Sequence, residues 1–67
     1  MKKRELIKAL KDLAAAHGVE LERVREGANH EIWGIGSLQF PIGRHAEIPE
    51  QTARSTIRAA RNHLENQ

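Results

Sequence analysis

The chain has 67 residues, 30% of them charged, a formal net charge of +2, one tryptophan, one phenylalanine and no cysteine. That length allows a single domain, residues 1–67, with a thin core, because a chain near 60 residues hides only about 60% of the surface its unfolded form exposes. The composition excludes a disulfide scaffold and a Cys/His zinc module, and no apolar run approaches the ~20 residues of a membrane span.

The charged start Met1-Lys2-Lys3-Arg4-Glu5 is not followed by the apolar stretch of a signal peptide, so a soluble cytoplasmic protein without membrane contact is expected. Charge is unevenly spread. Lys2, Lys3, Arg4, Lys8 and Lys11 gather at the start, acidic Glu20, Glu22, Glu26 and Glu31 offset Arg23 and Arg25 in the middle, and Arg44, Arg54, Arg58 and Arg61 are the cations after residue 32. With a pI near 9.5, cations gathered at both ends fit a polyanionic partner, and equally fit solvated helix faces.

Leu6, Ile7, Leu10, Leu13 and Ala14 recur at helical spacing and predict an amphipathic helix from Lys3 to about His17, with Arg4, Lys8 and Lys11 on its far side. Gly18 is placed to end it in a left-handed cap. Val19 to Arg23 alternates apolar and polar residues as a half-buried strand does, and Val24 breaks the alternation, as a bulge would. Gly27-Ala28-Asn29 reads as a turn and His30 to Ile35 as a second strand. A tight turn at Gly36-Ser37 leads into a third, Leu38 to Ile42, in which Pro41 marks an end or an edge. Gly43 to Pro49 reads as a loop. A last helix starts near Pro49, runs to about His63, and buries Ala53, Ile57, Ala60 and Leu64, with Thr52 and Thr56 beside that stripe. The order helix–strand–strand–strand–helix with hairpin connections predicts an α+β fold: a three-stranded antiparallel sheet, two helices on one face, the other face open.

Two patterns point to chemistry. At 100° per residue, Arg54, Arg58 and Arg61 fall in a narrow arc bordering the buried stripe of the last helix, where packing would hold their forks toward phosphate oxygens; the alternative is pairing with Glu50 or Glu65. Among the four histidines, His17 and His63 sit near helix ends and read as structural. His45, beside Arg44 in a loop, is a candidate for substrate contact or a second proton transfer. His30 follows a glycine turn at a strand start, which makes it the leading candidate for acid–base work. His30 and Glu31 are adjacent and would face opposite sides of a strand, so no metal site is expected, nor is a phosphate-cradling glycine loop or paired carboxylates.

Three segments together resemble the HicA toxins of type II toxin–antitoxin systems. They are Arg4-Glu5-Leu6-Ile7-Lys8-Ala9-Leu10, Gly27-Ala28-Asn29-His30-Glu31-Ile32-Trp33, and Phe40-Pro41-Ile42-Gly43-Arg44-His45-Ala46-Glu47-Ile48-Pro49 followed by Thr52-Ala53-Arg54. The resemblance runs from about residue 3 to residue 60. It implies a fold like the double-stranded-RNA-binding domain and an mRNA interferase, an endoribonuclease that blocks translation and is neutralised by a HicB-like antitoxin. By position it assigns the catalytic histidine to His30 and the following aromatic to Trp33. RNA cleavage would then be metal-independent and cofactor-free. His30 would act as base on a ribose 2′-hydroxyl or acid at the leaving oxygen, with Arg54, Arg44 and Arg58, in that order, as cations for the phosphate. A noncatalytic RNA-binding module of the same fold is the alternative reading.

Overall fold

The computed structural model describes residues 1–66 and has the expected order: α1 (Lys3–Ala16), β1 (Leu21–Glu26), β2 (His30–Ile35), β3 (Leu38–Gly43) and α2 (Glu50–Glu65). The three strands form one antiparallel sheet in the order β1-β2-β3. α1 contacts α2 and β1, and α2 contacts β3, so both helices cover the same face of the sheet. No helix of the described residues is long and apolar enough to cross a membrane.

α1 begins where the Glu5 carboxylate accepts the Lys2 backbone N–H at 3.1 Å. It ends in a Schellman motif: Gly18 N–H donates to Ala15 O, and Val19 N–H to Ala14 O at 3.0 Å. Gly18 takes φ +72°, as that cap requires. The cap also explains why β1 starts at Leu21 rather than at Val19, because the Val19 amide is spent on the helix end. At its other end β1 runs past Arg23 to Glu26, since an irregularity between Arg23 and Arg25 absorbs Val24 as a bulged residue and lets pairing continue. Gly34 makes room for it, for a Cβ there would meet Val24 Cγ2 at 3.1 Å. The β2–β3 turn has positive φ at Gly36 and none at Ser37, the pattern of a type II′ hairpin.

The segment read as a plain loop, residues 43–49, is stitched to the N-terminus instead. Lys2 and Glu47 form an isolated antiparallel bridge; Lys3 N–H donates to Ala46 O and Ile48 N–H to Met1 O, both at 2.8 Å. Ile48 is thereby buried. Pro49 sits one position before the first helical residue of α2 and accepts the Ala53 N–H at 2.9 Å.

The core is one cluster: Leu6, Leu10 and Ala14 from α1, Ile35 and Ile42 from the sheet, Ile48, and Ala53, Ala60 and Leu64 from α2. Ile57 is only partly buried. Leu10 is completely buried at the centre, and Leu10→Ala is expected to cost about 2–5 kcal/mol through lost burial and a residual cavity. Chemical denaturation checks this; a loss below about 1 kcal/mol would contradict the packing described.

Candidate nucleic-acid interface at the His30 end

Strand alternation and cross-strand pairing sort the sheet residues into two faces. Ile35 and Ile42 belong to the helix-covered face, and so do Glu31, Trp33, Leu38 and Phe40. His30, Ile32, Gln39 and Pro41 belong to the open one. His30 pairs with Gly43 and is exposed. Its backbone carbonyl accepts the Gly27 N–H at 2.7 Å, and its ring lies against Gly27, whose missing Cβ would stand 3.8 Å from both Cδ2 and Nε2. That Cβ would also come within 2.8 Å of the His30 carbonyl oxygen, so the turn needs glycine for space.

Arg44 lies at the same end of the sheet. Its Nη2 donates to the Gly27 carbonyl at 2.6 Å and stands 3.8 Å from Glu26 Oε2. His45 is exposed one residue on, within about 7 Å along the chain of Gly43, the ladder partner of His30. Thus His30, Arg44 and His45 share one end of the molecule.

Arg54 and Arg58 do not join them. α2 covers the other face of the sheet, and its outward arginines are separated from His30 by the sheet itself. Nor does packing hold Arg54, whose side chain is 72% exposed and pairs with Glu50 at 3.4 Å, an interaction of small energetic weight. Arg58 and Arg61 are exposed without an ion-pair partner among the described residues. Trp33 also faces away from His30. It packs against the core, and its Nε1–H donates to Glu31 Oε1 at 3.1 Å.

One residue that the sequence left aside joins the site. Counting alternately from Leu21 puts Arg25 on the helix side, but the bulge at Val24 reverses it. Arg25 pairs with Ile32, an open-face residue, and therefore stands on the face of His30, diagonal to it at about 7–8 Å between backbones. Arg25 has no ion-pair partner among the described residues. The broken alternation was the available signal, and carrying it one residue further finds the cation.

Glu31 anchors the far side of the same strand. Its side chain, 13% exposed, takes the Lys3 ammonium at 2.7 Å and the Trp33 indole N–H on Oε1, while Arg23 stands 3.7 Å from Oε2. The hydrogen bonds from Lys3 and then Trp33 hold its carboxyl below the ordinary value of 4.5; partial burial pushes the other way, and the charges of Lys3 and Arg23 reinforce the lowering. His30 and Glu31 face opposite sides, as adjacent strand residues must. Among the described residues no three His, Asp or Glu side chains converge on a metal position. His63 is tied to the β2–β3 turn, its Nε2 3.1 Å from Ser37 Oγ, and His17 caps α1.

Fold and site together define a small α+β domain with a cationic, histidine-bearing end. Comparison with family models, with curated proteins and with solved structures returned no match for this chain.

A carboxyl whose pKa is lowered by folding contributes stability that is fully present above its unfolded pKa and is lost as pH falls through the folded one. Glu31→Gln is therefore expected to lower stability at pH 7 by on the order of 1–2 kcal/mol, a Tm drop of several degrees in a domain of this size. The gap to the parent protein should close as pH falls below about 4.5. Thermal melts across pH test it, and an equal gap at pH 7 and at strongly acidic pH would refute the role of the charge.

Proposed function

We propose that this chain is an RNA-cleaving toxin of the HicA type, acting in the cytoplasm and restrained by a HicB-like antitoxin. The observation that carries the reading is His30: an exposed imidazole held by a tight turn on the open sheet face, with Arg25 diagonal to it and Arg44 clamped to the same turn. The agreement of element order with the fold that the resemblance implies adds support.

In the proposed reaction His30 takes the proton of a ribose 2′-hydroxyl. The freed oxygen attacks the adjacent phosphorus and the bond to the 5′-oxygen breaks. That oxygen takes a proton from His45 or from water, leaving a cyclic phosphate on one fragment and a 5′-hydroxyl on the other. Histidine suits both proton transfers because its unperturbed pKa lies near neutrality. Negative charge gathers on the phosphate oxygens in the transition state, and a preorganised cation lowers its energy. Arg25 and Arg44 take that task in place of Arg54 and Arg58, which supply general affinity for the backbone from the helix layer.

A noncatalytic RNA-binding module remains the second reading. What favours it is that only one imidazole is held at the turn, while the α2 arginines form a separate surface.

His30→Ala is expected to lower the cleavage rate of a single-stranded RNA by about a hundred- to ten-thousandfold and to abolish growth arrest on expression, with the thermal melt preserved. Near-normal cleavage by that variant would remove His30 from the mechanism; salt-dependent binding with no cleavage by the parent protein would establish the second reading. Arg25→Gln is expected to lower kcat by on the order of a hundredfold, whereas Arg54→Gln raises KM several-fold with little change in kcat. The reverse split would return the phosphate to α2.

A further inference from the structure

A pronounced surface depression lies away from His30. It is a groove of about 720 Å³ along the outer side of α1, lined by Arg4, Lys8 and Lys11 together with the apolar side chains of Ile7, which also packs on the core, and Ala46. Arg4 and Lys11 have no ion-pair partner among the described residues, and Asp12, the one acidic residue of the lining, is held by Lys8 at 3.1 Å. Lys2 and Lys3 close the groove toward the start of the helix.

We infer that this groove is a binding site for single-stranded nucleic acid and feeds the strand toward His30. Placement supports it: positions 4, 8 and 11 lie on one side of α1 and span about 10 Å of helix at 1.5 Å per residue, so their long stems can track a phosphate backbone along one groove. The apolar lining chooses between single and double strands. Ile7 and Ala46 offer an apolar patch to the face of an unpaired base, whereas a duplex turns its bases inward and leaves such a patch uncovered. Charge chooses between a nucleic acid and a neutral peptide: Arg4 and Lys11 stand without an ion-pair partner among the described residues, beside Lys2, Lys3 and Lys8, which pair with Glu47, Glu31 and Asp12.

The path to His30 is built into the fold. Lys3, in the groove, holds Glu31, the residue next to His30, and Ala46 in its lining is two residues from Arg44, which grips the Gly27 turn. A strand leaving the groove over Ala46 rounds the sheet end at His45 and Arg44 and arrives at the open face. The direction of this path rests on the catalytic reading of His30; the groove itself does not.

The test uses the full chain carrying His30→Ala, to prevent cleavage, and a labelled single-stranded RNA of about a dozen nucleotides, binding being read by anisotropy across about 50–200 mM salt. The added triple substitution Arg4→Gln, Lys8→Gln, Lys11→Gln is expected to make the slope of log K against log salt shallower by about 2, at about 0.7 per phosphate contact for single strands. Ile7→Ser should weaken the single strand several-fold and spare a duplex of the same sequence. An unchanged slope and affinity in the triple variant would overturn the groove as a site, as would tighter binding of a polyglutamate peptide than of RNA, which assigns it to an acidic protein. Loss of binding in the triple variant, with no cleavage by the chain that retains His30, upholds the groove and removes the catalytic reading instead.

Discussion

The Lys3–Glu31 contact joins the two halves of this molecule that matter for function. It is short, at 2.7 Å, and both side chains are largely shielded, 21% and 13% exposed. On one side it fixes the first turn of α1, and on the other the first residues of β2. A charged pair in that position is costly to desolvate and stays worthwhile only when its remaining hydrogen-bonding capacity is met. On the carboxylate side Trp33 donates a hydrogen bond to Oε1, and the Arg23 charge stands 3.7 Å from Oε2. With a core of nine buried residues among those described and no disulfide, few other devices hold the helix end and the strand start in register. The bridge between Lys2 and Glu47 works in parallel, tying the segment before α2 to the same corner.

That corner divides the cations into surfaces with different prospects. Those of α2 stand in solvent on flexible stems, where ordering them against a phosphate costs side-chain entropy. Arg44 is already committed in direction by its bond to the Gly27 carbonyl. Arg25 rises from a strand whose backbone is fixed by the ladder. A charge meant to stabilise a transition state gains most from such fixity, because it needs no reorganisation at the moment of reaction; loose charges serve encounter and affinity. The arrangement thus separates attraction of a polyanion from chemistry on it.

The fold was largely legible in the sequence, and the reasons are local. Helical periodicity in Leu6, Leu10 and Ala14, a cap glycine at 18, and a turn pair at Gly36-Ser37 each carry their own geometry. What stayed hidden depended on contacts distant in sequence. The limits of β1 are set by a helix cap upstream and a bulge downstream, and the pairing of residues 46–48 with the N-terminus has no signature in either segment. The site was legible in part. His30 and Arg44 stand where turn chemistry and strand order put them. Helix periodicity sets Arg54 and Arg58 in one stripe, and the resemblance joins that stripe to His30; periodicity places residues around one axis and says nothing of which face of the sheet lies beyond. The resemblance gives Trp33 as the aromatic that follows the histidine, and three positions along a strand put it on the other face.

The bulge at Val24 has a consequence for how this surface varies. A strand without an irregularity has its two faces locked together by alternation, so changing the charge of the exposed face by shifting the strand would also disturb the buried one. Here a single supernumerary residue decouples them: Leu21 and Arg23 keep their places over the helices while everything from Arg25 onward is turned about. Deleting Val24 would set Arg25 directly after Arg23 and opposite Ile32 in an unbroken ladder, so Arg25 would keep the face of His30 and Glu26 the helix side; keeping Val24 but pairing it regularly with Ile32 would instead turn Arg25 inward and Glu26 outward. In this small domain the positive charge beside His30 therefore survives loss of the extra residue, and is lost when that residue stays and the bulge does not.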